Sequence, residues 1–108
     1  VRDANAAAVQ AQEQLAAVRI NALIEEARAA RAVSVRTAQR DVAREQRDLA
    51  RQIDVRTREG YASGLGTSLD LVTSGQALRR AEIELIVAEL RVAGARADAL
   101  LVTAECVY

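Results

Sequence analysis

In the last third of the chain the apolar positions keep strict time. Leu71, Leu78, Leu85, Val92 and Ala99 recur every seven residues, and Ala81, Ala88, Ala95 and Val102 repeat at the same interval, each three residues after a member of the first set. This is the a/d pattern of a coiled-coil seam. A second apolar series runs through the same stretch: Ile83, Ile86, Leu90, Ala93, Ala97, Leu100 and Ala104, again spaced three and four. At about 103° per residue in a heptad frame, the two seams lie roughly 150° apart on the helix. Glu82, Glu89 and Arg96 line one strip between them, and Glu84, Arg91 and Asp98 line the other. A helix with one seam needs one neighbour, whereas a helix with seams on nearly opposite sides needs two. A lone hairpin supplies only one. The pattern therefore asks for a further helix, from another chain or from elsewhere in the same one. A closed ring of helices meets that requirement, with the polar strips facing inside and outside. A flat helical sheet or a four-helix bundle meets part of it.

The first arm, from about residue 3 to 60, is less regular. Val35, Ala38, Val42 and Leu49 make one seam, interrupted by Glu45, with Leu15, Val18, Ala22, Ala29 and Ala32 continuing an apolar face further back. Arg40, Arg44, Arg47 and Arg51 run along the opposite side and read as a solvated face, or as a contact for an acidic partner helix. Helical spacing pairs Asp48 with Arg44 and Arg51, and Asp54 with Arg58. As unbroken helices the first arm would be roughly 80 to 90 Å long and the second about 55 to 60 Å.

Between the arms lies the one place where the chain turns sharply. There is no proline, and four of the five glycines (Gly60, Gly64, Gly66 and Gly75) fall in or beside Tyr61–Leu71. Glycine ends helices because it reaches positive φ without steric cost. Thr67 or Ser68 is then placed to cap the next helix, with Asp70 in its first turn. The expected architecture is all-α: a long antiparallel coiled-coil hairpin with a helix over about 3–60, a tip over about 61–67 and a helix over about 68–104.

The wording of the tip is also informative. Arg58, Glu59, Gly60, Tyr61, Gly64, Leu65, Thr67, Ser68, Leu69, Asp70 and Leu71, followed by Leu78, Ala81 and Glu82, resemble the second-repeat periplasmic hairpin of TolC-type outer-membrane efflux and secretion channels. In that family a Tyr-x-x-Gly-Leu-x-[Ser/Thr]-x-x-Asp-[Leu/Val] segment forms the periplasmic tip, and a long Ala-rich helix follows. The resemblance covers nearly the whole chain. It departs at Thr73-Ser74-Gly75, where the family often has Asp-Ala-Gln, and at Gly66, where some members carry a larger or charged residue.

The resemblance implies a segment of an α-helical barrel in a homotrimeric channel, a passive duct served by a periplasmic adaptor and an inner-membrane transporter. It implies an adaptor-docking tip at Gly64, Leu65, Thr67 and Ser68, and pore-mouth or gating roles for Tyr61 and Asp70. Each role stands beside a plainer one. Asp70 is either a first-turn carboxylate favoured by the helix dipole, or one member of a carboxylate ring that favours cations at the pore mouth. Tyr61 packs on the hairpin neck, or its hydroxyl also links the tip to a neighbouring helix. Leu65 covers the end of the seam or docks onto the adaptor. The rival assignments are the adaptor's own helical hairpin, whose tip usually carries an Arg and Leu ahead of a Ser, and a structural coiled-coil spacer. The Gly-Leu-x-Thr-x-x-Asp tip favours the channel, and the second seam disfavours a simple spacer.

Composition narrows the classes. With two tyrosines and no Phe or Trp, the chain lacks the large side chains of a globular core. Its alanines suit close helix packing instead. Fifteen basic and fifteen acidic residues balance, with eleven arginines against nine acids before residue 61 and four against six after it, too small an imbalance for nucleic-acid binding to be the default reading. No His and no Lys are present, so the commonest general base and the Schiff-base nucleophile are missing. Cys106 has neither an internal partner nor a histidine to activate it. No cofactor, metal site or enzymatic activity is expected. No apolar run reaches bilayer length, so this segment is expected to lie outside the membrane; the resemblance implies that it belongs to the periplasmic part of a Gram-negative outer-membrane protein. With no methionine, it is expected to be a piece of a longer protein.

Overall fold

The computed structural model describes residues 1–107, with side chains through Ala104; the Cys106 side chain lies outside the described residues. Two helices account for almost all of it: α1, Arg2–Ala62, and α2, Ser68–Val107. They pair antiparallel, as the ties between Asp54 and Ser74 and between Arg51 and Glu82 show. The fold is an all-α helical hairpin, and no strand occurs among the described residues. Alanine, arginine, glutamate and leucine all favour helix, and nothing breaks either arm before the tip. The first arm runs two residues further than expected, so Tyr61 and Ala62 belong to the last turn of α1 rather than to the tip.

The chain forms two compact units, one from Ser34–Gly94 and one from the remainder. In the unit that carries the tip, the first heptad series of α2 turns inward. Leu85 and Val92 are only 6% and 3% exposed, Ala81 is buried, and Leu71, Leu78 and Ala88 are half-buried. The second series is wholly exposed, from Ile83 through Ile86 and Leu90 to Ala93, and Leu69 and Val72 extend it to the tip.

The first arm corrects the sequence reading. Val35, Ala38, Val42 and Leu49 face away from α2. The face turned to α2 is instead Arg36, Arg40, Ala43, Arg47, Ala50, Asp54 and Thr57, all buried or half-buried and spaced three and four. The arginine stripe accordingly splits. Arg40 and Arg47 have side chains 21% and 24% exposed, whereas Arg44 and Arg51 stay on the outside. Arginine suits this position because its methylene stem covers apolar surface while its head reaches water. Asp48 pairs with its neighbour Arg47 at 2.7 Å rather than with Arg44 or Arg51, and Arg51 reaches across to Glu82 at 3.8 Å. The Asp54–Arg58 pair forms at 2.8 Å.

In the other unit, α1 contributes the half-buried Ala22, Ala29 and Val33, and α2 contributes Ala95, Ala99 and Val102. Residues 1–21 are exposed throughout. Leu15, Val18 and Ala32 therefore do not continue a covered face; Ala22 and Ala29 do. Among the described residues no helix is long and apolar enough to cross a membrane.

Candidate docking tip

The turn is built from two local devices back to back. The first closes α1. The Leu65 amide donates to the Gly60 carbonyl at 2.8 Å, and the Gly64 amide donates to the Tyr61 carbonyl at 3.0 Å. This is the Schellman pattern, and it needs a left-handed residue at Gly64, whose φ is +78°. The Ser63 hydroxyl caps the Glu59 carbonyl at 2.6 Å. Of the tip glycines only Gly64 is demanded by the backbone. A methyl group on Gly66 would make ordinary contacts with the Tyr61 amide and the Asp70 carboxylate, which suits a position open to larger residues. Gly64→Ala is expected to cost about 1 kcal/mol, whereas Gly66→Ala is close to neutral. Thermal melts of the two variants compare them directly.

The second device opens α2. Thr67 is the N-cap: its hydroxyl accepts from the Asp70 amide at 3.2 Å, and the Asp70 carboxylate accepts from the Thr67 amide at 3.0 Å. This reciprocal capping box satisfies two amides that the helix start would otherwise leave without partners. Ser68 takes the first helical position. The Thr67 backbone amide, and after it the Thr67 hydroxyl, hold the Asp70 carboxyl below its ordinary value of 3.8, against a smaller opposing effect of desolvation. A carboxyl lowered on folding contributes stability that is fully present above its unfolded pKa and is lost as pH falls through the folded pKa. The stability gap between wild type and Asp70→Asn is therefore expected at neutral pH and should close in the acid range below about pH 4. Urea titrations of both proteins at pH 7 and in acid measure it.

A Schellman turn often packs its residue after the glycine against one five or six positions back. Here those positions are Gly60, which has no side chain to offer, and the charged, exposed Glu59, and Leu65 stands 87% exposed at the apex. Leu69 and Val72 are exposed beside it, and an open groove of about 510 Å³ leads from Leu65 and Leu69 to Ile53, Thr57 and Ala77. The Tyr61 ring is half exposed on the last turn of α1. Gly64, Leu65, Thr67, Ser68 and Asp70 are thus gathered at one end of the hairpin, with an apolar apex above a capped helix start.

One feature of this end is not visible in local sequence. Asp54, 4% exposed, accepts a hydrogen bond from the Ser74 hydroxyl of the opposite helix at 2.9 Å and another from Arg58 at 2.8 Å. The signal lay in the heptad. Counting back seven from Ala81 gives Ser74, one polar side chain in an otherwise apolar seam.

Comparisons with protein-family models, with curated proteins and with solved structures gave no match for this chain.

Proposed function

We propose that the chain is the periplasmic hairpin of a TolC-type outer-membrane channel subunit. In this reading it is a segment of an α-helical barrel in a homotrimer. The barrel is the passive exit duct of a tripartite efflux or type I secretion system, with an inner-membrane transporter supplying the energy. The observation that carries the reading is the pair of uncovered edges. On α2 the seam through Ile83, Ile86 and Leu90 is exposed, and on α1 so is the seam through Val35, Val42 and Leu49. On each helix the exposed seam lies roughly 150° from the covered one, so each helix has a place for a neighbour on either side, as staves have in a barrel. An adaptor hairpin or a free spacer needs no second seam.

Leu65 supports the docking part of the reading, because its side chain is available to a partner while only its backbone amide takes part in closing the turn. Leu65→Ser is expected to cut extrusion of a fluorescent dye several-fold in cells where the full-length protein is the only exit duct, at an unchanged level in the outer membrane. Exposed apolar anchors lose binding energy on this scale when truncated. Unimpaired extrusion would remove the docking role. Recovery of the full-length protein away from the outer membrane would remove the channel.

A further inference from the structure

Between residues 34 and 60, α1 has two faces that compete for α2. One is the valine–leucine face of Val35, Ala38, Val42 and Leu49. The other is the face of Arg40, Ala43, Arg47, Ala50 and Asp54. Burial of apolar area alone favours the first, since valine and leucine remove more carbon from water than alanine. The structure takes the second. The difference between the faces is greatest at Asp54. On the chosen face its carboxylate meets the hydroxyl of Ser74, both groups are buried, and Arg58 closes the remaining oxygen. Turned by half a revolution, α1 would carry Asp54 to the outside. Ser74 would keep only the carbonyl of Leu71, 3.2 Å away on its own helix. Buried polar contacts of this kind act best as selectors between packings of similar apolar content.

We infer that the Asp54–Ser74 hydrogen bond is an orientation lock, which decides which face of α1 is turned to α2 and so keeps the valine–leucine face outward. The proposal is independent of the channel reading, because it concerns which edge the hairpin presents and not what covers that edge.

The test uses single cysteines at positions 42 and 43 in a Cys106→Ser background, labelled with a maleimide in dilute solution. In the locked hairpin Ala43→Cys is covered and Val42→Cys is exposed, so position 42 should react more than about tenfold faster. Adding Asp54→Ala with Ser74→Ala should accelerate position 43 and slow position 42 by about twofold or more, because a population with the other face inward protects it. Asp54→Asn keeps an acceptor for Ser74 and should restore the original ratio. Three results would overturn the lock. They are unchanged rates in the double variant, acceleration at 43 with no slowing at 42 (loosening without a change of face), and loss of helix by circular dichroism, which would make the bond a fastener and not a selector.

Discussion

Leu85→Ala should destabilise the hairpin by about 2–3 kcal/mol, enough to unfold much of the region around the tip. Leu85 is 6% exposed at the middle of the covered α2 seam, flanked one heptad on by Val92 at 3%. The opposing face of α1 offers Ala43 and Ala50, with arginine stems alongside, so little side-chain mass is free to close the space an alanine would leave. The control is built into the same helix. Leu90 is also a leucine and stands five residues away, but it is 66% exposed. In dilute monomer, Leu90→Ala should change stability by less than about 0.5 kcal/mol, since a largely exposed side chain buries little on folding and alanine gains helix propensity. Urea unfolding followed by circular dichroism gives both values. Equal losses at 85 and 90 would mean that the covered and exposed seams have been assigned to the wrong sides.

That these two leucines belong to different seams was legible in sequence, although which of the seams α1 would cover was not, and on α1 the covered face itself was missed. On α2 one seam holds Leu71, Leu78, Leu85 and Val92 at strict heptad spacing, so the strongest pattern is also the covered one. On α1 the strongest apolar pattern, Val35 through Leu49, is the outward one. Periodicity finds an apolar face but does not say which helix, or which chain, it will meet. That choice is made over twenty residues of separation by Asp54 and Ser74, and neither residue advertises it locally. The tip behaves in the opposite way. Gly64, Thr67 and Asp70 act through bonds to residues three to five positions away at most, and their short-range chemistry can be read directly from the order of residues. Leu65 falls between these cases. Its place at the apex follows from the turn, but its exposure follows from the residues behind it, since Gly60 has no side chain and Glu59 offers a charged, exposed one.

The exposed edges lead to the second large effect. The chain should self-associate with rising concentration, and Ile86→Glu with Leu90→Glu should weaken that association by at least about a hundredfold. Each of these side chains is more than half exposed in the hairpin, and covering one fully contributes about 1.5–3 kcal/mol, against which the entropy of association must be set. Two glutamates remove that contribution and put charge where a neighbour would have to exclude water. Helix content should be unchanged, since both positions lie on the exposed seam of α2 and not on the covered one. Val42→Glu with Leu49→Glu tests the other edge. If the α2 edge of one copy meets the α1 edge of the next, the contact is heterologous and each variant alone should stay monomeric, because every copy then lacks one of the two edges a contact needs. Mixing the two variants should then produce a one-to-one complex, because each supplies the edge the other lacks. If α2 edges pair with each other, the α1 variant should still dimerise and mixing should add nothing. Sedimentation velocity over a concentration series separates these outcomes. A wild-type chain that stays a fully helical monomer at millimolar concentration would show that the second seam needs no neighbour, and the barrel reading would lose its main support.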